Sequence, residues 1–143
     1  MAWHGWAPVF ADLEPAVAPY VYKAFYPQGW QVRQNSDIEK LLNSDPHNGW
    51  LAIENGAVLG WVGLRLHAED SMGEIDILAV DPCAQRSGVA RLLIEAAFDR
   101  LKNAGMKIVM VETGDDPGHA SSRATYEKLG FERWPVARYF REL

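Results

Sequence analysis

Val80-Asp81-Pro82-Cys83-Ala84-Gln85-Arg86-Ser87-Gly88-Val89-Ala90 is the stretch from which the fold is read. Glu74–Val80, rich in isoleucine, leucine and valine, reads as a strand that Asp81-Pro82 ends. A helix is predicted from Gly88 to Asn103, because Val89, Leu92, Leu93, Ala96, Ala97, Leu101 and Ala104 recur on one helical face. Gly105 stands where a left-handed C-terminal cap belongs. A strand, a tight loop and a glycine-led helix start make an anion site. The first amides of a helix have no intrahelical partner, and its dipole adds partial positive charge there. Gly88 and Ala90 carry little side chain, so a pyrophosphate can approach the backbone, and Arg86 and Arg91 add charge. The Gly-Lys-Ser/Thr ending of a Walker loop and the three spaced glycines of a dinucleotide fingerprint are both missing.

Working outward, Trp50–Glu54 and Ala57–Leu66 form a hairpin across Asn55-Gly56. Lys107–Glu112 contains an unbroken apolar run and reads as a central buried strand. Ser121 or Ser122 caps a short helix that runs to Leu129 and stops at Gly130. Phe131–Trp134 and Ala137–Arg141 read as two last strands around Pro135. Toward the N-terminus, Asp12–Tyr22 is a helix limited by Pro15 and Pro19, and Ser36 with Glu39 makes a capping box for Asp37–Leu42. Trp6–Phe10 is the one segment available for a first strand, short or absent. The expected fold is α/β in one domain spanning residues 1–143: a mixed, mostly antiparallel sheet of six to seven strands with helices on both faces.

The 143 residues suffice for a real core, and the apolar share of 48% with 23% charged residues belongs to an ordered, water-facing chain. A formal net charge of -5 argues against nucleic acid as a partner. One cysteine, Cys83, forbids an intrachain disulfide and suits a reducing compartment, so a cytoplasmic location is expected. Residues 1–10 lack the pattern of a signal peptide, and no stretch approaches the ~20 apolar residues of a membrane helix. His4, His47, His67 and His119 lack metal-ligand spacing, so no metal is expected.

Gln85-x-x-Gly88-x-Ala90, after Ala79-Val80-Asp81-Pro82 and before Leu92-Leu93, resembles motif A of the GNAT acetyltransferases. Tyr126-Glu127-Lys128-Leu129-Gly130-Phe131 resembles the same family's motif B, in the family's order and with a strand between. The resemblance covers residues 50–143. It implies an acetyl-CoA-dependent N-acetyltransferase. Its amides at Gln85, Arg86, Ser87, Gly88, Val89, Ala90 and Arg91 would hold the pyrophosphate. The pantetheine arm would lie beside Leu78, Ala79 and Val80, where the family splays two neighbouring strands apart. Two departures stand out: His119 where many members have asparagine, and Ser87 where a basic residue or glycine is common. His119 and Tyr126 remain cofactor contacts on this reading.

The implied reaction is direct attack of a primary amine on the thioester in a ternary complex. A backbone N–H near Leu78 would polarise the carbonyl, and Tyr126 would give the departing thiolate its proton. A base must deprotonate the amine, because a lysine-like amine with a pKa of about 10.4 is protonated near neutrality. Glu112 is the first candidate, with Asp76 and Glu74 as rivals that can share a face with Leu78 and Val80. The acceptor is a small polyamine-like or amino-sugar molecule, an amino acid, or a protein N-terminus or lysine. Two other readings are a non-catalytic CoA-binding sensor and a transferase of bulkier acyl groups. Trp30 and Trp50 flank the region that covers the family's acceptor site, and a homodimer through the C-terminal strands is a further expectation.

Overall fold

The computed structural model describes residues 2–143. Its elements run α1 (Ala2–Leu13), α2 (Pro19–Phe25), α3 (Trp30–Ser44), β1 (Gly49–Glu54), β2 (Ala57–His67), β3 (Met72–Val80), α4 (Val89–Asn103), β4 (Ile108–Val111) and α5 (Ala120–Lys128). Short 3₁₀ turns at Glu14–Ala16, Ala68–Asp70, Pro82–Ala84 and Pro117–His119 join them. The sheet has four strands in the order β1-β2-β3-β4, antiparallel except for the parallel pair β3–β4. Helices cover both faces, but six to seven strands are not formed among the described residues.

The missing strands have separate physical causes. Trp6–Phe10 lies inside α1, although Pro8 removes one ladder donor there. Trp3, Trp6 and Phe10 recur with helical spacing, and that face buries them: Phe10 stacks on Trp30 at 4.5 Å between ring centroids, and Trp3 meets both Trp6 and Trp30 edge-on. Such aromatic pairs contribute about 0.5–1.5 kcal/mol each beyond their burial, which outweighs local strand preference. At the other end, residues 131–143 form neither strand nor helix. Ion pairs and aromatic contacts tie them down instead: Arg133 to Glu127 at 2.9 Å, Arg138 to Glu112 at 3.1 Å, Phe131 against Phe98 and Tyr126, and Phe140 edge-on to Phe25. Pro135 has no N–H to give a ladder at the middle of this segment.

Ser36 does not cap a helix; it sits inside α3, which begins at Trp30 behind Gly29. Trp30 belongs to the aromatic cluster of α1, so packing extends the helix through the capping signal. Within α3, Asp37 accepts from Arg33 at 2.8 Å and from Lys40 at 3.2 Å.

Two cores sandwich the sheet. On one face Leu93, Ile94, Ala97 and Leu101 of α4 pack against Ala52, Val62, Leu64 and Ile75. Each buried leucine or isoleucine contributes about 1.5–3 kcal/mol relative to exposure. On the other face Leu41 of α3 and Trp6 of α1 pack with Trp61, Ile77 and Ala79. Ile75 and Ile77 thus face opposite cores, although two residues apart on one strand should share a face. The register explains this. Leu64 partners Ile75 and Gly63 partners Ile77, leaving Asp76 as an extra residue in β3. Such a bulge bends a strand and increases its local twist.

Candidate active site

The bulge at Asp76 coincides with the end of pairing between β3 and β4. The parallel register runs from Met72↔Ile108 to Ile75↔Val111 and goes no further, while β3 continues to Val80 along β2. The half of β3 beyond Ile75 therefore has one edge without a strand partner. Its polarity follows from the ladder. Asp81 N–H donates to the Leu59 carbonyl of β2 at 2.8 Å. By alternation the N–H groups of Ala79 and Ile77 also face β2, and those of Leu78 and Val80 face the open edge. The Val80 carbonyl is on that edge too, where Gln85 Nε2 donates to it at 3.4 Å. Ala79 is turned the other way, its side chain buried in the core under α3.

The loop that follows is wound by its own side chains. Asp81 accepts from Cys83 N–H at 2.9 Å, and Ser87 Oγ donates to the Ala84 carbonyl at 2.5 Å. Ser87 thus braces the loop from inside. Arg86 holds a left-handed φ of 60°, a conformation that costs a non-glycine residue about 1–2 kcal/mol. Gly88 follows at φ 94° and no side chain caps α4. The helix ladder opens with Leu92 N–H to Gly88 O at 3.0 Å, so the amides of Val89, Ala90 and Arg91 precede it. Arg91 is paired with Glu95 at 2.7 Å, whereas Arg86 makes no ion pair among the described residues. An open strand edge next to an uncapped helix start fits a ligand with amides along its length and phosphates at one end.

Tyr126 sits on α5, packed edge-on against Phe131 at 5.6 Å and against the core under α4. Burial pushes its hydroxyl up to about 12. Glu112 follows β4, is 70% exposed, and accepts from Arg138. Asp76 and Glu74 do not share the face of Leu78 and Val80, which pack toward α4. The bulge puts both carboxylates on the α3 side, Asp76 with Arg65 at 3.0 Å and Glu74 with His67 at 2.7 Å. Burial raises Asp76 above the ordinary carboxylate value despite Arg65, and Asp37 of α3 adds to the rise.

His119 immediately precedes α5, with Nδ1 2.6 Å from Asp116 Oδ2. Arg123 donates to the carbonyls of Gly114 and Asp116 at 2.6 and 2.7 Å, fixing the loop between β4 and α5. His119 is marked in the sequence by its place before the last helix, and its pairing with Asp116 only by the Asp116-x-x-His119 spacing. A cavity of about 620 Å³, not expected from the sequence, is lined by Glu14, Pro15, Pro19, Tyr22, Lys23 and Tyr26. Tyr22 of α2 and Tyr26 just past its end, with Glu14 upstream, are its trace in the sequence. Of the two tryptophans expected near the acceptor, Trp30 belongs to the cluster with Trp3 and Phe10, and Trp50 packs on the α4 core. Among the described residues no helix is long and apolar enough to cross a membrane, and no three His, Cys, Asp or Glu side chains gather as a metal site.

The acetyltransferase (GNAT) family profile matches residues 18–131. Mycothiol acetyltransferase of Nocardia farcinica is 35% identical over 108 residues, 72% of this chain and 35% of that protein. The Amycolatopsis mediterranei counterpart is 30% identical over 135 residues, 84% of this chain and 43% of that protein. The chain thus spans less than half the length of these relatives. Among solved structures, aminoglycoside N-acetyltransferase AAC(6')-Iy in complex with CoA superimposes with a TM-score of 0.60 at 23% identity, covering 78% of this chain and 87% of that one. Aminoglycoside 6'-N-acetyltransferase AAC(6')-IG of Acinetobacter haemolyticus gives a TM-score of 0.62 at 18% identity, covering 89% and 95%.

Proposed function

Because the chain belongs to the acetyltransferase (GNAT) family, we propose that it transfers the acetyl group of acetyl-CoA to a primary amine, by direct attack in a ternary complex. The observation that carries this reading is the open edge of β3 beyond Ile75, continuous with the uncapped first turn of α4. The amides of Gly88, Val89 and Ala90 hold the pyrophosphate, aided by the helix dipole and by Arg86. Gln85 and Ser87 shape the loop. Leu78 and Val80 pair through their outward N–H groups with the pantetheine arm, and one of these N–H groups polarises the thioester carbonyl. Tyr126, whose hydroxyl stays protonated far above neutrality, supplies the proton for the departing sulfur.

The acceptor is a cationic amine. The cavity lined by Glu14, Tyr22 and Tyr26, with Lys23 in the same wall, offers a carboxylate and aromatic faces to an ammonium group. Amine acceptors are familiar in this company: the names of the similar proteins specify mycothiol and aminoglycoside acetyltransferases. A second copy of the chain is a partner in this reading, docking through the C-terminal segment where Trp134, Val136 and Tyr139 are exposed. The cytoplasm is the compartment, in keeping with the single exposed cysteine.

The test is a panel of amines offered with acetyl-CoA while free thiol is monitored. Polyamines, amino sugars, amino acids and peptide N-termini are each included. Thiol release dependent on one amine class supports the transferase. Acetyl-CoA binding without thiol release for any amine overturns it in favour of a sensor.

A further inference from the structure

The head of α5 holds a histidine–carboxylate pair that gripping a cofactor does not require. Asp116 Oδ2 stands 2.6 Å from His119 Nδ1, and the Asp116 side chain is only 9% exposed. Its other oxygen, Oδ1, is buried without a hydrogen-bond partner, so the carboxylate is spent on the imidazole alone among protein groups. The loop is built to keep this arrangement. A Cβ on Gly114 would lie 2.2 Å from Asp116 Oδ2 and 2.8 Å from His119 Nδ1. The ring therefore rests on main chain just past the end of β4, the strand that parts from β3. A carboxylate on Nδ1 fixes that nitrogen as the N–H side and leaves Nε2 as the proton acceptor. His119 is the N-cap residue of the helix that carries Tyr126 seven positions on. The competing carboxylates each have a cationic or imidazole partner of their own: Glu112 has Arg138, Asp76 has Arg65 and Glu74 has His67.

We propose that His119, oriented by Asp116, is the base that deprotonates the acceptor amine, directly or through one water. This rests on the transferase reading above and names a group within it. Nε2 takes one proton from the ammonium. The freed lone pair forms the N–C bond to the thioester carbonyl carbon, and the C–S bond breaks. Tyr126 protonates the departing sulfur and recovers a proton from the attacking nitrogen. His119 then returns its proton to solvent, so one proton is released per turnover. The charged and titratable groups facing the pair are Asp12 of α1, which lies over Gly118, Tyr26 just past α2, which feels Asp116, and Arg123 of α5, itself bridged to Asp115 at 3.7 Å.

His119→Asn tests the assignment, because asparagine is a good helix N-cap and leaves α5 its start. The expected result is a fall in kcat of about 10²–10³-fold, loss of the acid limb of the wild-type kcat/KM profile, and acetyl-CoA affinity within about threefold of wild type. Asp116→Asn, a positioning change, should lower kcat by about tenfold or more and distort the same limb. If His119→Asn fails to fold, His119→Gln carries the same expectations. Turnover within a few-fold of wild type, an unchanged acid limb, or a loss confined to acetyl-CoA affinity overturns the proposal. Wild-type protein that binds acetyl-CoA but releases no thiol with any amine removes the transferase reading, and this proposal with it.

Discussion

Gly5 of α1 lies directly against the Val80 carbonyl of β3: a Cβ built on Gly5 would stand 2.7 Å from that oxygen. Further along, the Val9 carbonyl of the same helix would be 2.6 Å from a Cβ on Gly118. Helix α1 thus runs from the open edge of β3 to the loop before α5, across the mouth of the gap between β3 and β4. Two glycines, one on the helix and one on the loop, permit this approach.

Gly5→Ala sets two effects against each other. Alanine gains about 1 kcal/mol in helix propensity. The clashing atom is a backbone carbonyl of a central strand, which cannot swing aside, and overpacking costs about 1–3 kcal/mol. The clash wins, so denaturant unfolding should show a net loss of up to about 2 kcal/mol. A gain in stability would mean that α1 does not approach Val80 this closely.

Gly88→Glu places a carboxylate at the mouth of the uncapped helix and forces an L-residue into φ 94°. Acetyl-CoA affinity should fall about 10²-fold or more. No packed atom lies within 4 Å of a Cβ at Gly88, so the structural cost is confined to backbone strain of about 1–2 kcal/mol. Calorimetric titration alongside a thermal melt separates the two.

Tyr126→Phe should lower kcat by about 10²-fold or more while acetyl-CoA affinity changes little. With the hydroxyl pushed up to about 12 by burial, the acid stays loaded at every pH usually assayed. The wild-type kcat profile should then show no alkaline limb from Tyr126 below about pH 10. Such a limb, absent in the phenylalanine variant, would contradict the buried setting of this side chain.

Much of this was legible in the sequence because local signals and packing agree. The Asn55-Gly56 turn pairs β1 with β2, and Leu93, Ala97 and Leu101 of the expected α4 stripe pack on the sheet, whereas Leu92 of that stripe is exposed and Ile94 beside it is buried. The bulge at Asp76 was not legible: it depends on which residues of β2 come to partner β3, a non-local outcome with no mark in Glu-Ile-Asp-Ile. That single register shift moves Asp76 and Glu74 to the face opposite Leu78 and Val80 and ends the pairing with β4. Trp3, Trp6 and Phe10 carried their helical period openly, but Trp6–Phe10 was the one segment left for a first strand of the expected sheet. At the C-terminus Phe131–Trp134 and Ala137–Arg141 read as strands around Pro135, yet Arg133 and Arg138 find their partners in the side chains of Glu127 and Glu112.

Asp76 also gives stability a pH dependence. Its folded value lies above the ordinary 3.8 because burial disfavours the charged form. The folded state then holds that proton more tightly than the unfolded chain. This contribution favours folding below 3.8 and is lost as pH rises through the interval up to the raised value. Asp76→Asn should flatten the pH dependence across that interval, and at neutral pH should cost little, since Arg65 is partly exposed and can hydrate. Chemical denaturation of both proteins at a series of pH values checks this. An identical slope in the variant would show that Asp76 titrates alike in both states.

The open edge of β3 is most directly tested by amide hydrogen exchange at four consecutive residues, with and without acetyl-CoA. Ile77 and Ala79 already donate to β2, so their exchange should change little. Leu78 and Val80, whose N–H groups face the gap, should become protected when acetyl-CoA is bound. Protection that spares Leu78 and Val80, or that falls on all four residues alike, would contradict a pantetheine arm seated along this edge.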